Sequence, residues 1–303
     1  MRTSLSQQIQ NALIYTNDAS QALIEAQRQA VSGKRINSPS DDVPGTSKAM
    51  SLRSAISTTE QYADNVSVNQ PLLETTDSTL QSLVDIVQSI RDIAVDAAET
   101  DMADTESTFI SELESSLSQL VDLANTKHAD QYIFSGTASD TQTITQAADG
   151  TYVYDGNDGI RTTKVQSWVS LQVNIPGSTV FNFDGSAGAG STDLFTMVTQ
   201  LEDAIKSGNV TSISDQLDNI DANLNNLLSC EAQVGSWEAR IENASSTLEE
   251  TQDRLETMLS DVEDIDLAEA VVNLKTQENV YQTALSVTSQ IMDISLASLN
   301  YLS

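Results

Sequence analysis

The chain has 303 residues, 44 acidic and 14 basic, and therefore a formal net charge of −30. Because a polyanion would be repelled by such a chain, nucleic acid is excluded as an expected partner. No run of about 18 apolar residues occurs, so no membrane-spanning helix is predicted. The first residues also lack the apolar core of a cleaved secretory signal. The single cysteine, Cys230, excludes an internal disulfide and is expected to be an ordinary buried thiol.

The first predicted helix covers residues 3–32. Its apolar and small residues recur at alternating spacings of four and three, which is typical of a helix that packs against other helices. They are Leu5, Ile9, Ala12, Thr16, Ala19, Leu23, Ala26 and Ala30. Gly33, followed by Lys34 and Arg35, is typical of a helix end. The segment 36–45 contains two prolines and is predicted to be a compact loop.

Two further helices are predicted before the middle of the chain. One runs from about residue 46 to 100, with a kink or a local start at Pro71, and the next from about 105 to 129. The helix predicted at 46–100 shows the same alternating spacing of four and three residues, at Leu73, Thr76, Leu80, Leu83, Val87, Ile90, Ala94 and Ala97.

Residues 131–190 have a different character, with many glycine, threonine, valine and aromatic residues. A short strand is predicted at 131–134. Segments 152–154 and 161–165 are predicted to form a hairpin across the glycine-rich turn between them. The β pattern then continues over 168–175 and again at 180–183.

Helical patterns return in the last third of the chain. A helix begins near Asp193 and is stopped by Gly208, and a long helix follows from about 211 to 260. The terminal helix repeats with the same alternating spacing at Leu267, Val271, Leu274, Tyr281, Leu285, Met292, Leu299 and Leu302, with polar Glu278, Thr288 and Ser295 in the same frame. Such an apolar stripe must dock on the other end of the chain or on another subunit.

Residues that could carry chemistry are scarce. His128 is the only histidine, and neither a P-loop nor a dinucleotide-binding glycine motif occurs. The turn 155–159 lacks the closing glutamate of a calcium loop, and the acidic run 261–266 is interpreted as a solvated helix junction. The sequence therefore predicts no catalytic residue, no metal site and no cofactor, and the protein is not expected to be an enzyme.

Several segments resemble one family. The stretch SGKRINSPSDD at 32–42 and the stretch DIDLAEA at 264–270 are similar to the terminal signatures of the flagellin family. Segments 1–4, 123–137, 154–161, 176–181 and 295–302 resemble the branch of that family found at the junction between flagellar hook and filament. A short filament flagellin is the alternative within the family, and a coiled-coil signalling protein is the alternative outside it.

The resemblance implies a mainly α fold with an inserted β module. The N- and C-terminal segments would form a long antiparallel helical bundle, or coiled-coil rod, around a small all-β domain. The expected organisation is an N-terminal assembly helix and loop at 1–45, helical halves of the rod at 46–130 and 191–263, a β-rich outer domain at 131–190, and a C-terminal assembly helix at 264–303.

The family also implies a function. The protein would be an extracellular structural component of the bacterial flagellum, exported through the type III apparatus without a cleaved signal. Its terminal helices would be disordered in the free subunit and would order on assembly. Its partners would be other copies of itself, a neighbouring hook-associated protein, flagellin and an export chaperone that covers the C-terminal helix.

The resemblance and the repeats together nominate three groups of residues. The N-terminal assembly interface comprises Leu5, Ile9, Ala12, Leu23, Ala26 and Ala30. The C-terminal interface for assembly and for the chaperone comprises Leu267, Val271, Leu274, Tyr281, Leu285, Ile291, Leu299 and Leu302. The signature loop comprises Gly33, Arg35, Asn37, Asp41 and Asp42.

Overall fold

The computed structural model describes residues 2–99, 105–188 and 190–300, with side chains described between residues 7 and 294. In these ranges the chain is mainly helical. The helices are α1 (Arg2–Ser32), α2 (Val43–Glu99), α3 (Glu106–Ala124), α4 (Gly177–Val180), α5 (Leu194–Lys206), α6 (Val210–Glu263) and α7 (Leu267–Asn300). The mainly α fold class with an inserted β module is confirmed.

Six short strands form three separate antiparallel pairs between α3 and α4. They are β1 (Lys127–His128), β2 (Gln131–Tyr132), β3 (Ile144–Gln146), β4 (Tyr152–Tyr154), β5 (Thr162–Gln166) and β6 (Val169–Gln172). Strand β1 pairs with β2, β3 with β4, and β5 with β6.

The chain forms two compact units. The terminal unit combines the two ends of the chain, up to Thr58 and from Thr251 onward, and the central unit spans Thr59–Glu250. Helices α2 and α6 each contribute to both units. The finer five-part division expected from the sequence stays a prediction.

Buried helix faces form the core of the central unit. Every member of the α2 repeat from Leu73 to Ala97 is buried. On α6, a series of buried apolar residues recurs seven positions apart, at Ile213, Ile220, Leu227, Val234, Ile241 and Leu248. Helix α2 continues through Pro71, with buried Leu72 and Leu73 directly after the proline. Large buried apolar side chains of α2 and α6 therefore stabilise the central unit, at roughly 1.5–3 kcal/mol for each fully buried residue.

An aromatic cluster lies in the core beside the strands. The side chains of Phe134, Phe181 and Phe195 are fully buried, and the rings of Phe134 and Phe195 each lie with their centroids 5.4 Å from that of Phe181. Helix α5 is fixed at its start by Asp193, whose carboxylate accepts a hydrogen bond from the Thr196 amide at 2.9 Å. Its end at Gly208, which has a φ of +64°, agrees with the predicted stop.

The hairpin predicted between segments 152–154 and 161–165 is wrong. Strand β4 pairs with β3, and β5 with β6. Two asparagine side chains bind the backbone around the segment between β4 and β5. Asn157 Oδ1 accepts from the amide of Gly159, two residues later, and from the amide of Thr137, each at 2.9 Å. Asn174 Oδ1 accepts from the Arg161 amide at 2.7 Å. Because Thr137 and Asn174 lie outside this segment, local turn propensity could not reveal that it joins no hairpin.

Two other element predictions also differ from the structure. Helix α3 ends at Ala124 rather than near 129, since the Asn125 side chain binds the backbone of Ile144 through both its oxygen and its nitrogen. Ala129 and Asp130 then adopt positive φ in the turn between β1 and β2. The strand predicted at 180–183 is replaced by α4 and a following turn, packed into the aromatic cluster.

Candidate functional site

The loop after α1 pairs with the connection between α6 and α7. Gly33, at a φ of +68°, ends α1 in the left-handed conformation that favours glycine. Its carbonyl accepts a hydrogen bond from the Ile265 amide at 3.1 Å, and the Arg35 amide donates to the Glu263 carbonyl at 2.6 Å. Lys34 and Asp264 form an isolated antiparallel bridge between these bonds. We call this pairing the joint, comprising residues 33–42 and 262–266.

A buried carboxylate lies at the centre of the joint. The Glu263 side chain is 4% exposed, and Lys34 Nζ lies 3.0 Å from it. The Arg53 guanidinium lies 2.7 Å from the same carboxylate. Burial raises the pKa of the Glu263 carboxyl, but the hydrogen bonds from Lys34 and Arg53 outweigh this effect and the pKa is lowered overall. We call Lys34, Arg53 and Glu263 the clamp.

The residues of the predicted signature loop fix its shape. Asp41 Oδ2 accepts from the amides of Asn37 at 3.0 Å and Ser38 at 2.7 Å, and Asn37 Nδ2 donates to the Lys34 carbonyl at 2.9 Å. Asp42 accepts from the Gly45 amide at 2.9 Å.

Salt bridges and a small core tie this loop to the helices. Arg28 pairs with Asp41 at 3.3 Å, and Arg35 pairs with Asp42 at 3.1 Å. Arg35 Nη2 also donates to the Val262 carbonyl at 2.9 Å. A small apolar cluster also anchors the loop, with Ile36, Ala49, Leu52 and Val262 buried. Polar and apolar contacts together therefore fix the conformation of the loop.

The clamp predicts a pH dependence for the joint. Because the pKa of the Glu263 carboxyl is lowered below its ordinary value in the folded chain, its charge contributes stability at pH values above that ordinary value. That stability is lost as the pH falls through the lowered folded value. In an NMR titration, we expect the midpoint of the Glu263 carboxyl to lie below that of an ordinary exposed glutamate. Arg53→Gln should raise this midpoint, whereas Arg254→Gln should not; an unchanged midpoint in Arg53→Gln would contradict the assignment.

Helices α1 and α7 pack against each other in antiparallel orientation, as shown by the contacts Gly33–Ile265 at one end and Thr16–Thr288 toward the other. On α1, Ala12, Ala19 and Ala26 are buried, and Ile9, Thr16, Leu23 and Ala30 are half-buried between them. The predicted α1 repeat therefore faces α7. The side chain of Leu5 lies outside the described residues.

The observed seam on α7 differs from the predicted frame. Ala270 and Thr288 are buried, and the seam continues through half-buried Leu274, Gln277, Tyr281, Ala284 and Ile291. Leu267, Val271, Leu285 and Met292 of the predicted frame are exposed. The sequence left open whether the stripe docks on the other end of the chain or on another subunit, and within the single chain only part of the frame packs on α1. The side chain of Leu299 and all of Leu302 lie outside the described residues.

The exposed apolar residues of α7 form two stripes on either side of its seam. From helical geometry, Leu267, Val271, Leu285 and Met292 lie on one side, and Val280, Val287 and Ile294 on the other. The first stripe lies on the same side of the pair as exposed Leu13, Ile24 and Val31 of α1. The second borders a groove of about 800 Å³ that α1 lines with Gln8, Asn11 and Tyr15. Both faces of the α1–α7 pair are thus apolar and uncovered.

Three residues that matter in this region were not identified from the sequence. Glu263 was assigned to a solvated junction, whereas it is buried with two cations, and Arg53 was not singled out at all. Thr288 was treated as a polar exception in an apolar frame, although its hydroxyl contacts Thr16 across the seam. Glu263 is an acidic residue at the end of a 54-residue helix, and the sequence around it does not show that cations from another segment will pack against it.

The side chains considered for chemistry lie apart from each other. His128 Nδ1 is 3.1 Å from the Thr75 hydroxyl, and burial raises the pKa of the Cys230 thiol to about 11. Among residues 2–99, 105–188 and 190–300, His, Cys, Asp and Glu side chains form no group suited to hold a metal ion. Within the same ranges, none of the helices combines the length and apolarity needed to span a bilayer.

Comparisons with known proteins agree with this geometry. The family model for the bacterial flagellin N-terminal helical region matches residues 4–139, and the model for the C-terminal helical region matches residues 217–302. The flagellin of Listeria monocytogenes is 25% identical over 289 residues, which cover 91% of this chain and 90% of that protein. Flagellar hook-associated protein 3 of Salmonella typhimurium is 23% identical over 291 residues, with 90% and 91% covered.

A solved structure shares the fold. The crystal structure of flagellar hook-associated protein 3 from Legionella pneumophila aligns with a TM-score of 0.62 at 17% identity, covering 70% of this chain and 98% of that one. The two matches include the paired terminal segments, and the stretch between them, residues 140–216, contains β3 to β6. Since the two matched regions together span most of its length, the chain belongs to the bacterial flagellin family.

Proposed function

We propose that this protein is a structural subunit of the bacterial flagellum that joins hook to filament by helix-mediated assembly. The observation that carries the proposal is the pair of uncovered apolar stripes on α7. Soluble helices normally keep one apolar face, which packs on their own chain. A helix that already packs on α1 and still exposes two further apolar stripes has surface left for other subunits.

The two stripes of α7 differ from each other, and this supports contacts with two different neighbours. One stripe contains leucine, valine and methionine, whereas the other contains valine and isoleucine beside the groove. Unlike patches on one subunit form head-to-tail contacts, which close into rings or extend as helical assemblies. This arrangement fits a subunit that is added between others, as at a junction.

The proposed partners follow from the family. Other copies of this chain, a neighbouring hook-associated protein and flagellin would contact the α1–α7 pair and the joint. An export chaperone would cover the apolar stripes of α7 before assembly, and the chain would leave the cell through the type III apparatus. The proposed role is structural, without turnover of a substrate.

A short filament flagellin is the second candidate, because curated flagellins match this chain as closely as hook-associated proteins do. Electron microscopy separates the two. Purified protein is added to filament seeds and, separately, to hooks that lack their junction proteins. A junction subunit should add a short cap to hooks and should not extend seeds into long fibres. Long fibres grown from seeds would instead establish the filament role.

Limited proteolysis tests the state of the ends before assembly. The α1–α7 seam consists largely of alanine and threonine, so it contributes less burial than the leucine-rich core of the central unit. We expect early cleavage of residues before about 45 and after about 265 through local opening, leaving a resistant middle. Equal resistance of the ends and the middle in the free chain would contradict this prediction, and assembled protein is the matched control.

A further inference from the structure

The central unit carries most of the negative charge of the chain. Between Thr59 and Glu250 lie 31 of the 44 acidic residues but only 6 of the 14 basic ones. The described part of this unit contains two ion pairs, Arg91–Asp221 and Lys206–Glu202. Most of its described carboxylates therefore have no ion-pair partner. A compact state with such an excess of one sign is destabilised by its own repulsion.

Helices α2 and α6 meet in antiparallel orientation within this unit. Arg91 on α2 pairs with Asp221 on α6 at 2.7 Å. Closer to the start of α2, the charges of Asp77 and Glu74 act on the carboxyl of Glu238, which lies closer to the end of α6. The first contact between the helices is attractive, whereas the second brings three carboxylates together.

Glu238 lies in the apolar seam of α6. Val234 and Ile241 are fully buried, and neighbouring Trp237 is 7% exposed. Glu238 follows Val234 by four residues and precedes Ile241 by three, so it occupies a position that such a repeat normally gives to an apolar side chain. Its own side chain is half-buried. Partial burial of a carboxylate is costly unless a cation or hydrogen bonds replace the lost water.

The groups of α2 that face Glu238 do not compensate for this cost. Among the described residues, none donates a hydrogen bond to its buried Oε1 atom. The carboxylates of Asp77 and Glu74 accept hydrogen bonds from Gln81 at 2.6 Å and from Gln70 at 3.0 Å, and both donors are neutral amides of their own helix. Burial and the charges of Asp77 and Glu74 raise the pKa of the Glu238 carboxyl.

The charged residues of α6 around Glu238 do not neutralise it either. Glu242, one turn later on the same face, is also acidic. Arg240 is two residues away, and helical geometry places it on a different face. In the described ranges, no lysine or arginine forms an ion pair with Glu238. Screening of this contact is therefore left to mobile ions of the solution.

We propose that repulsion between Glu238 and the acidic face of α2 formed by Glu74 and Asp77 makes the stability of the central unit depend on the surrounding salt. The distance over which salt leaves charges unscreened is about 10 Å at 0.1 M and about 3 Å at 1 M. The central unit is therefore most stable in a saline medium. In the proposed function it meets the salt outside the cell directly, but the salt dependence is a property of the free chain.

Tryptophan fluorescence follows the central unit alone, because both tryptophans of the chain, Trp168 and Trp237, lie within it. Trp168 is already 83% exposed, so the change on unfolding comes mainly from Trp237, next to Glu238. Full-length protein is unfolded at neutral pH with urea, which is uncharged, in sodium chloride from about 0.01 M to about 1 M. The urea midpoint should rise with the salt concentration. A midpoint that stays constant or falls would overturn the proposal.

Glu238→Gln tests the contact itself, because it keeps the size of the side chain and removes its charge. Most substitutions destabilise a protein, but this one should raise the thermal midpoint of the fluorescence transition in low salt by roughly 2–4 °C. The gain should shrink as salt is added. It should also shrink as the pH falls through the raised pKa, since the wild-type carboxyl then becomes neutral by itself.

Two further variants locate the repulsion. Glu249→Gln removes the same charge from an exposed position of α6 and should raise the midpoint much less. Asp77→Asn should also stabilise, and the double variant with Glu238→Gln should gain less than the two single changes together, since both remove one shared repulsion. Loss of stability in Glu238→Gln, an equal gain at low and high salt, or an equal gain in Glu249→Gln would each overturn the proposal.

Discussion

Replacing Leu285 with aspartate is expected to abolish addition of the subunit to hooks while leaving its own fold unchanged. Leu285 is 44% exposed in the single chain, so the substitution removes only part of a side chain's packing and leaves the new carboxylate within reach of water. In an assembled interface, however, the carboxylate would be desolvated without a partner, at a cost of about 2–4 kcal/mol for each contact. Every subunit in a ring carries the change, so the effect is repeated at each interface.

The control for Leu285→Asp is Ser286→Asp, which adds the same charge one residue later on the polar side of α7. It should assemble normally. Hook addition can be counted by electron microscopy, and helix content by circular dichroism should be the same in both variants. Normal addition of Leu285→Asp subunits would show that this stripe is not an interface. A loss of helix content in that variant would contradict its exposed position.

Replacing Glu263 with glutamine is expected to loosen the joint. The substitution keeps the size of the side chain but removes the charge that Lys34 and Arg53 face. Removal of one partner from a buried ion pair costs about 3–5 kcal/mol. Because both cations are about half exposed and can regain water, we expect a smaller loss of about 1–3 kcal/mol in local stability.

Hydrogen exchange measures this loss at the joint itself. The amides of Arg35 and Ile265 are bound across it, and each should exchange roughly 10-fold faster or more in Glu263→Gln, since about 1.4 kcal/mol corresponds to a factor of ten. The matched control is Asp261→Asn, which neutralises an exposed carboxylate of the same helix. Equal exchange in wild type and Glu263→Gln would contradict a role for the clamp.

The sequence revealed features that depend on neighbouring residues. The repeat of α2, the helix end at Gly33 and the helix start near Asp193 each follow from spacing or from a local conformational preference. The signature loop was nominated from its resemblance to a family, and its aspartates do bind backbone amides within a few residues. Such contacts join residues that are close together in the sequence, so they can be predicted from it.

Structural features that depend on contacts between distant residues could not be predicted from the local sequence. The segment between β4 and β5 is bound by Asn157, which contacts Thr137, and by Asn174, which contacts Arg161, and its glycine-rich sequence did not reveal that β4 pairs with β3. The burial of Glu263 depends on cations that are 210 or more residues away in the chain. From its charge alone, Glu263 was predicted to be exposed to solvent. Only the fold brings Lys34 and Arg53 to its carboxylate.

For the terminal helices, the alternating repeats predicted two helices with apolar stripes that need partners. They left open which residues of each stripe pack within the chain, because a helix can turn about its axis and still keep some of the same residues in contact. The structure places a contact between Gly33 and Ile265 at one end of the α1–α7 pair and a contact between Thr16 and Thr288 toward the other. Both contacts join residues that are far apart in the chain, so a local repeat carries no signal for them.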